Sequence, residues 1–240
     1  MLSPVRNFNS IQARIKKTLD KGVQIDLSTE ACKRFLRRHV NRKVGAVILY
    51  VDVDGSTRLS MSVKPAEFAT ILYIFSQEMS LIISELGGYT LKYVGDAVIA
   101  LFPAEYNAHQ AAKNAVDCAK AMHEIIKKCI NPEFKAHGLP EIMIKVSIDY
   151  GDVQVVLYGK SIERAHIDIV GSSISMAAKM IAFAKTGQIV IGQALYENIG
   201  DEDKDLSNKK DFTKIELDPD KWSYVNEKSG SSYGLYLMVK

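Results

Sequence analysis

The residues Val47-Ile48-Leu49-Tyr50-Val51 form an unbroken apolar run that stops at Asp52-Val53-Asp54-Gly55-Ser56. A run with no polar face to offer water, closed by turn residues, suits a central strand covered by other layers. The chain must therefore build a sheet around this segment, and it leaves two acidic residues where the strand ends.

The segments that follow supply that sheet. Pro65 opens a helix in which Phe68, Ile71, Leu72, Phe75, Met79 and Ile82 recur at helical spacing before Gly87-Gly88 ends it. Tyr89 to Val94 and Ala97 to Phe102 flank Gly95-Asp96, the pattern of a β-hairpin. A long Ala- and Lys-rich helix is expected from Asn107 to Lys128, and strands from Met143 to Tyr150 and Val153 to Tyr158. A hairpin-like connection, a helix from Ser172 to Ala184, a strand at Ile189-Val190-Ile191 and a short helix from Gln193 to Asn198 come next. The polar stretch Asp201 to Lys221 reads as an irregular excursion, and Tyr233 to Val239 as a returning strand. The order β-α-β-β-α-β is that of an α+β, ferredoxin-like core with additions.

At 240 residues the chain fits one domain, expected over 44–240, with a helical and basic N-terminal extension over 1–43 in which Ile11, Ile15 and Leu19 keep helical spacing. A hydrophobic fraction of 47% and a charged fraction of 25% are those of a globular protein. The net charge of +3, without a reading motif, gives no ground for a polynucleotide partner. No apolar run approaches the ~18–20 residues of a membrane span, and Arg6, Asn7, Asn9, Gln12 and Arg14 leave no signal-peptide core. A cytoplasmic protein without a membrane segment is the expectation. Cys32, Cys118 and Cys129, like His109, His123 and His166, lack metal-ligand spacing.

Chemistry concentrates on Asp52 and Asp96. One ends a buried strand and the other sits at a hairpin tip, so both carboxylates can meet at one rim of the sheet and hold divalent metal. Asp beside Gly is also an ordinary turn signature, and each residue taken alone is open to that reading.

Three blocks read together go further. Leu49-Tyr50-Val51-Asp52-Val53-Asp54-Gly55-Ser56-Thr57 resembles the first metal motif of the class III adenylate and guanylate cyclases, and Lys92-Tyr93-Val94-Gly95-Asp96-Ala97 resembles their second. Asp168-Ile169-Val170-Gly171-Ser172-Ser173-Ile174-Ser175-Met176-Ala177-Ala178-Lys179 is similar to their substrate and transition-state segment. The likeness runs from about Val44 to Gly192 with the blocks in family order. It implies an adenylate cyclase that turns ATP into 3′,5′-cyclic AMP and pyrophosphate. It also implies two divalent cations, Mg²⁺ or Mn²⁺, held by Asp52 and Asp96 with the carbonyl of Val53 assisting. Lys92 and Asp168 become the base-reading pair, offered by the partner protomer of a homodimer with two equivalent interface sites.

A lysine donor beside an aspartate acceptor matches the N1 and amino edge of adenine. Cytosine presents the same order, and a swapped geometry fits guanine, so a nucleotidyl cyclase for GTP or a pyrimidine nucleotide stays open. Lys92 alone is also readable as a strand lysine whose stem covers apolar surface.

The sequence departs from the family at the transition-state positions. Ser175 stands where Asn is usual and Lys179 where Arg is usual; the resemblance makes them the catalytic pair, with a shorter reach and without a bidentate fork. These departures keep a second class open, a nucleotide-binding, cyclase-like regulatory domain of low activity. Arg164 and Lys228 fall near the family's phosphate-binding cations, and surface salt bridging is their competing role.

Overall fold

The computed structural model describes residues 7–22, 27–161, 164–199, 209–226 and 229–239. Its elements are α1 (Phe8–Lys21), α2 (Glu30–Arg37), β1 (Lys43–Val53), α3 (Ser56–Ser62), α4 (Pro65–Glu85), β2 (Tyr89–Val94), β3 (Ala97–Pro103), α5 (Ala108–Ile125) and α6 (Asn131–Ala136). There follow β4 (Ile144–Tyr158), β5 (His166–Val170), α7 (Ser172–Met180), β6 (Ile189–Gly192), α8 (Gln193–Asn198), β7 (Phe212–Lys214) and β8 (Leu235–Met238). The sheet runs β2-β3-β1-β4-β6-β8-β7, with β5 paired to β4 off that path. Its first four strands are antiparallel, and β4 to β6 is a parallel crossover through α7. The α+β, ferredoxin-like core with additions is therefore the fold.

The two faces of β1 explain why its sequence has no polar side. Val47, Leu49, Val51 and Val53 join the main core beneath α4 and α5, whereas Val44, Ala46 and Ile48 join a second cluster on the opposite face. That second face is covered by Cys32 and Leu36 of α2 and by Val153, Val155, Ile167 and Ile169 of β4 and β5. All three cysteines are buried and none is in a disulfide.

Two segments differ from their sequence reading. The expected break near Gly151-Asp152 does not occur: β4 is one strand of 15 residues, because β1 pairs with it continuously from Ile144 to Gln154 before β5 takes over. Within the expected irregular stretch 201–221, residues 201–208 lie outside the described residues, and Phe212–Lys214 is an edge strand against β8. The short helix α3 carries no buried residue, so no periodicity announced it.

The N-terminal helices pack against the rest. Ile11 and Ile15 of α1 lie in the main core, and Arg14 makes a two-pronged ion pair with the buried Glu78 of α4, at 3.0 and 2.6 Å. By length and composition α4 is apolar enough to cross a membrane, the one such helix among the described residues, which differs from the sequence expectation of no segment of that length. Its Ile71, Ile74, Phe75, Met79, Ile82 and Ile83 are spent on the core, which accounts for that apolarity.

Asp149 of β4 is an acid buried away from solvent, where it accepts from the Tyr233 hydroxyl at 2.8 and 3.0 Å and from the Tyr150 amide. Gly192 lies so close that a Cβ there would collide with the carboxylate. Burial pushes Asp149 up to about 7, with the hydrogen bonds pulling the other way. An unfolded aspartate titrates near ~3.9, so the folded chain binds the extra proton and this group's stabilisation is lost as pH rises through about 7. The melting midpoint should fall between pH 5 and 8, and Asp149→Asn should flatten that decline by several degrees, since 1 kcal/mol moves a domain of this size by about 2–4 °C. Parallel pH profiles for the two proteins would exclude Asp149 as the cause.

Candidate active site

Strand alternation decides where Asp52 points. It follows Ile48 and Tyr50 on the second face of β1, one residue from the strand's end, and pairs with Ala97 on one side and Lys145 on the other. Asp96 directly precedes Ala97 in the turn between β2 and β3, where Gly95 takes the left-handed conformation (φ 60°) that the tight turn requires. The two carboxyl groups therefore meet at the rim, close enough for the charge of each to act on the other. Burial, then the negative charge of Asp96, pushes Asp52 up to about 6, and Lys145 partly offsets this.

Asp54 does not join them. Lys145 Nζ lies 2.6 Å from it and the Thr186 hydroxyl donates to it, and those bonds hold its carboxyl below the usual range. Its amide donates to Met143 O at 2.8 Å, so the acidic turn is tied to the start of β4. Lys145 was missed in sequence because only the β1–β4 register brings it opposite Asp52. Val53, the last residue of β1, opposes Ile144 and buries its side chain in the main core.

Asp52 and Asp96 offer hard oxygen ligands that repel each other, a donor set that a divalent cation relieves and that suits Mg²⁺ or Mn²⁺. No group of three His, Cys, Asp or Glu side chains is arranged for a metal among the described residues, so further ligands would have to be backbone, water or substrate oxygens.

The second pair comes together through a bend. Lys92 lies on β2 and Asp168 on β5, while β2 and β4 stand three strand spacings apart, about 14 Å. The far half of β4 and its partner β5 fold over the second face of the sheet, and Lys92 Nζ reaches Asp168 Oδ2 at 2.6 Å. The other Asp168 oxygen accepts from the Ile169 amide at 2.9 Å, which sets the carboxylate plane. Cys32 of α2 lies beside this pair, and burial, then the charge of Asp168, pushes its thiol up to about 12, so it is an inert neighbour.

Ser175 and Lys179 are one turn apart on the exposed side of α7. The Ser175 hydroxyl donates to Gly171 O of its own helix at 3.2 Å, and Lys179 Nζ rests 5.4 Å from the centre of the Tyr224 ring. Arg164 is exposed in the turn before β5. Lys228 lies outside the described residues.

The profile of the adenylate and guanylate cyclase catalytic domain matches residues 39–220. The chain belongs to that family, the class III nucleotidyl cyclases. Among curated relatives it is 27% identical over 165 residues to a cytidylate cyclase of Escherichia coli, covering 64% of this chain and 35% of that protein. An adenylate cyclase of Anabaena cylindrica is 28% identical over 167 residues, covering 66% and 33%. A uridylate cyclase of Xanthomonas perforans is 28% identical over 174 residues, covering 72% and 73%. The chain thus spans about a third of the length of the first two. The adenylyl cyclase CyaB from P. aeruginosa has the same fold, with a TM-score of 0.66 at 22% identity over 83% of this chain and 95% of that one.

Proposed function

We propose that the domain is a cytoplasmic adenylate cyclase acting as a homodimer, with the base-reading pair of one protomer completing the site whose acids belong to the other. The observation that carries the reading is the Lys92–Asp168 contact, a donor and an acceptor held 2.6 Å apart with only partial exposure, which suits a base offering the complementary acceptor and donor. Adenine offers an acceptor at N1 and a donor at its amino group, so each partner can exchange its neighbour for the base without leaving a hydrogen-bonding group unsatisfied.

In the reaction the ribose 3′-oxygen attacks the α-phosphorus, the bond to the bridging oxygen of the β-phosphate breaks, and pyrophosphate leaves while the hydroxyl proton passes to solvent. Asp52 and Asp96 are the groups that would hold divalent ions, which supply a lowered hydroxyl pKa and neutralise the leaving group. Lys92 and Asp168 fix the base and hence the angle of attack. Ser175 is assigned to the ribose and Lys179 to the developing phosphate charge. Arg164 and Lys228 are assigned to the phosphate chain.

A second reading, cytidylate cyclase, is favoured by the same pair, because cytosine presents the donor and acceptor in the same order and a named relative acts on it. Purified protein supplied with Mn²⁺ and each of the four nucleoside triphosphates in turn should convert ATP at least about tenfold faster than the others, a ~1.4 kcal/mol preference. Equal or better turnover of CTP would transfer the assignment to cytosine, and nucleotide binding without any cyclic product would leave a regulatory domain.

A further inference from the structure

A cleft of about 630 Å³ opens between the end of α5, α6 and the start of β4. That volume is of the order that holds small organic ligands, ~300–1,000 Å³. Its walls combine apolar Ile126, Met143 and Ile144 with Lys127 and Lys135, and neither lysine has an ion-pair partner among the described residues. His123 lines the same space, and its Nε2 is buried without a hydrogen-bond partner. Such an atom destabilises the fold unless something bonds to it.

The local backbone is built to make this space. Residues Ile126–Ile130 form a π-helical turn at the end of α5, a local insertion frequent at functional sites, and it carries Lys127. Asn131 bridges the Ile142 amide and carbonyl, 2.9 Å each, so the connection from α6 to β4 is pinned and the mouth is preformed. Burial pulls the His123 imidazole down to about 4, leaving it neutral and able to donate or accept. Glu141 at the rim is one acid against two lysines, so the surround favours a negatively charged guest.

The floor of the cleft belongs to the catalytic rim. Met143 O holds the Asp54 amide, Ile144 pairs with Val53 and accepts from the Gly187 amide at 3.0 Å, and the next residue, Lys145, grips Asp54. We propose that this cleft is a second ligand site, taking a small organic anion whose phosphate or carboxylate head meets Lys127, Lys135 and His123, and that its occupancy is felt at the acidic turn.

Calorimetry of the full chain with phenyl phosphate, phenylacetate and, as the neutral control, benzyl alcohol tests the site without relying on turnover. One charged probe should saturate at one per chain while the control does not, and which probe does so tells a phosphate head from a carboxylate. The exposed pair Lys127→Glu and Lys135→Glu, made together, should weaken that probe at least about tenfold, the scale of losing ~1.4 kcal/mol of charge-assisted bonding. Hydrogen exchange at the Asp54 and Gly187 amides should slow severalfold with the probe bound. Failure of both charged probes to saturate, equal binding by the double variant, or unchanged exchange at both amides would overturn the proposal.

Discussion

Asp52→Asn and Lys92→Ala chains, each without measurable turnover alone, should recover about a quarter of wild-type activity when co-expressed in equal amounts. The first variant halves the negative charge available to divalent ions while keeping the shape of the rim. The second removes the donor that lies 2.6 Å from Asp168. If each site takes its acids from one protomer and its base-reading pair from the other, a mixed dimer has one site with both defects and one with neither. Half of the dimers formed at random are mixed, and each keeps one working site, which yields the ~25% figure. Asp52→Asn mixed with Asp96→Asn should recover nothing, because both changes fall in the same protomer's acids and every site then carries one of them. Recovery in that control, or none in the first mixture, would remove the shared-site dimer and with it the assignment of Lys92 to the partner's substrate. Both variants change half-exposed side chains at the sheet surface, and their melting midpoints should stay within a few degrees of wild type.

What could be read in advance followed from local pattern. β1 and the β2–β3 hairpin declared themselves through an apolar run and a Gly-Asp turn, and once both were placed the meeting of Asp52 with Asp96 followed from strand pairing. Lys92 and Asp168 were paired by resemblance; the physical reason they touch, the folding of β4 and β5 across the second face, depends on a bend that no residue periodicity encodes. The same limit hid Lys145, whose grip on Asp54 arises from the register between strands about 90 residues apart in sequence. Gly151-Asp152 looked like a turn because Gly and Asp favour turns in isolation, and continuous pairing with β1 overrode that preference. Asp149 drew no notice, since an acid in an otherwise apolar strand is ordinarily a surface residue; its partner Tyr233 lies 84 positions later.

Ser175→Asn together with Lys179→Arg should raise kcat by about 100-fold, the lower end of the ~10²–10³ lost when one preorganised donor is removed from a developing charge. Geometry supports a gain over mere tolerance. The Ser175 hydroxyl is spent on Gly171 O within its own helix, so it directs no donor outward, whereas the longer Asn amide can clear the helix and still donate. Lys179 lies over the Tyr224 ring, a position a guanidinium also accepts by stacking, and Arg adds two parallel donors for a phosphate oxygen pair. Both positions are exposed on α7, so neither change fills the core or strands a buried polar group, and the fold should be indifferent. KM should move less than kcat, because the added donors act on charge that appears only as the α-phosphorus is attacked. A double variant that binds ATP as before with unchanged or lower kcat would show that α7 does not face the reacting phosphate. The roles given to Ser175 and Lys179 would then have to be withdrawn, while those of Asp52, Asp96, Lys92 and Asp168 would still rest on their own geometry.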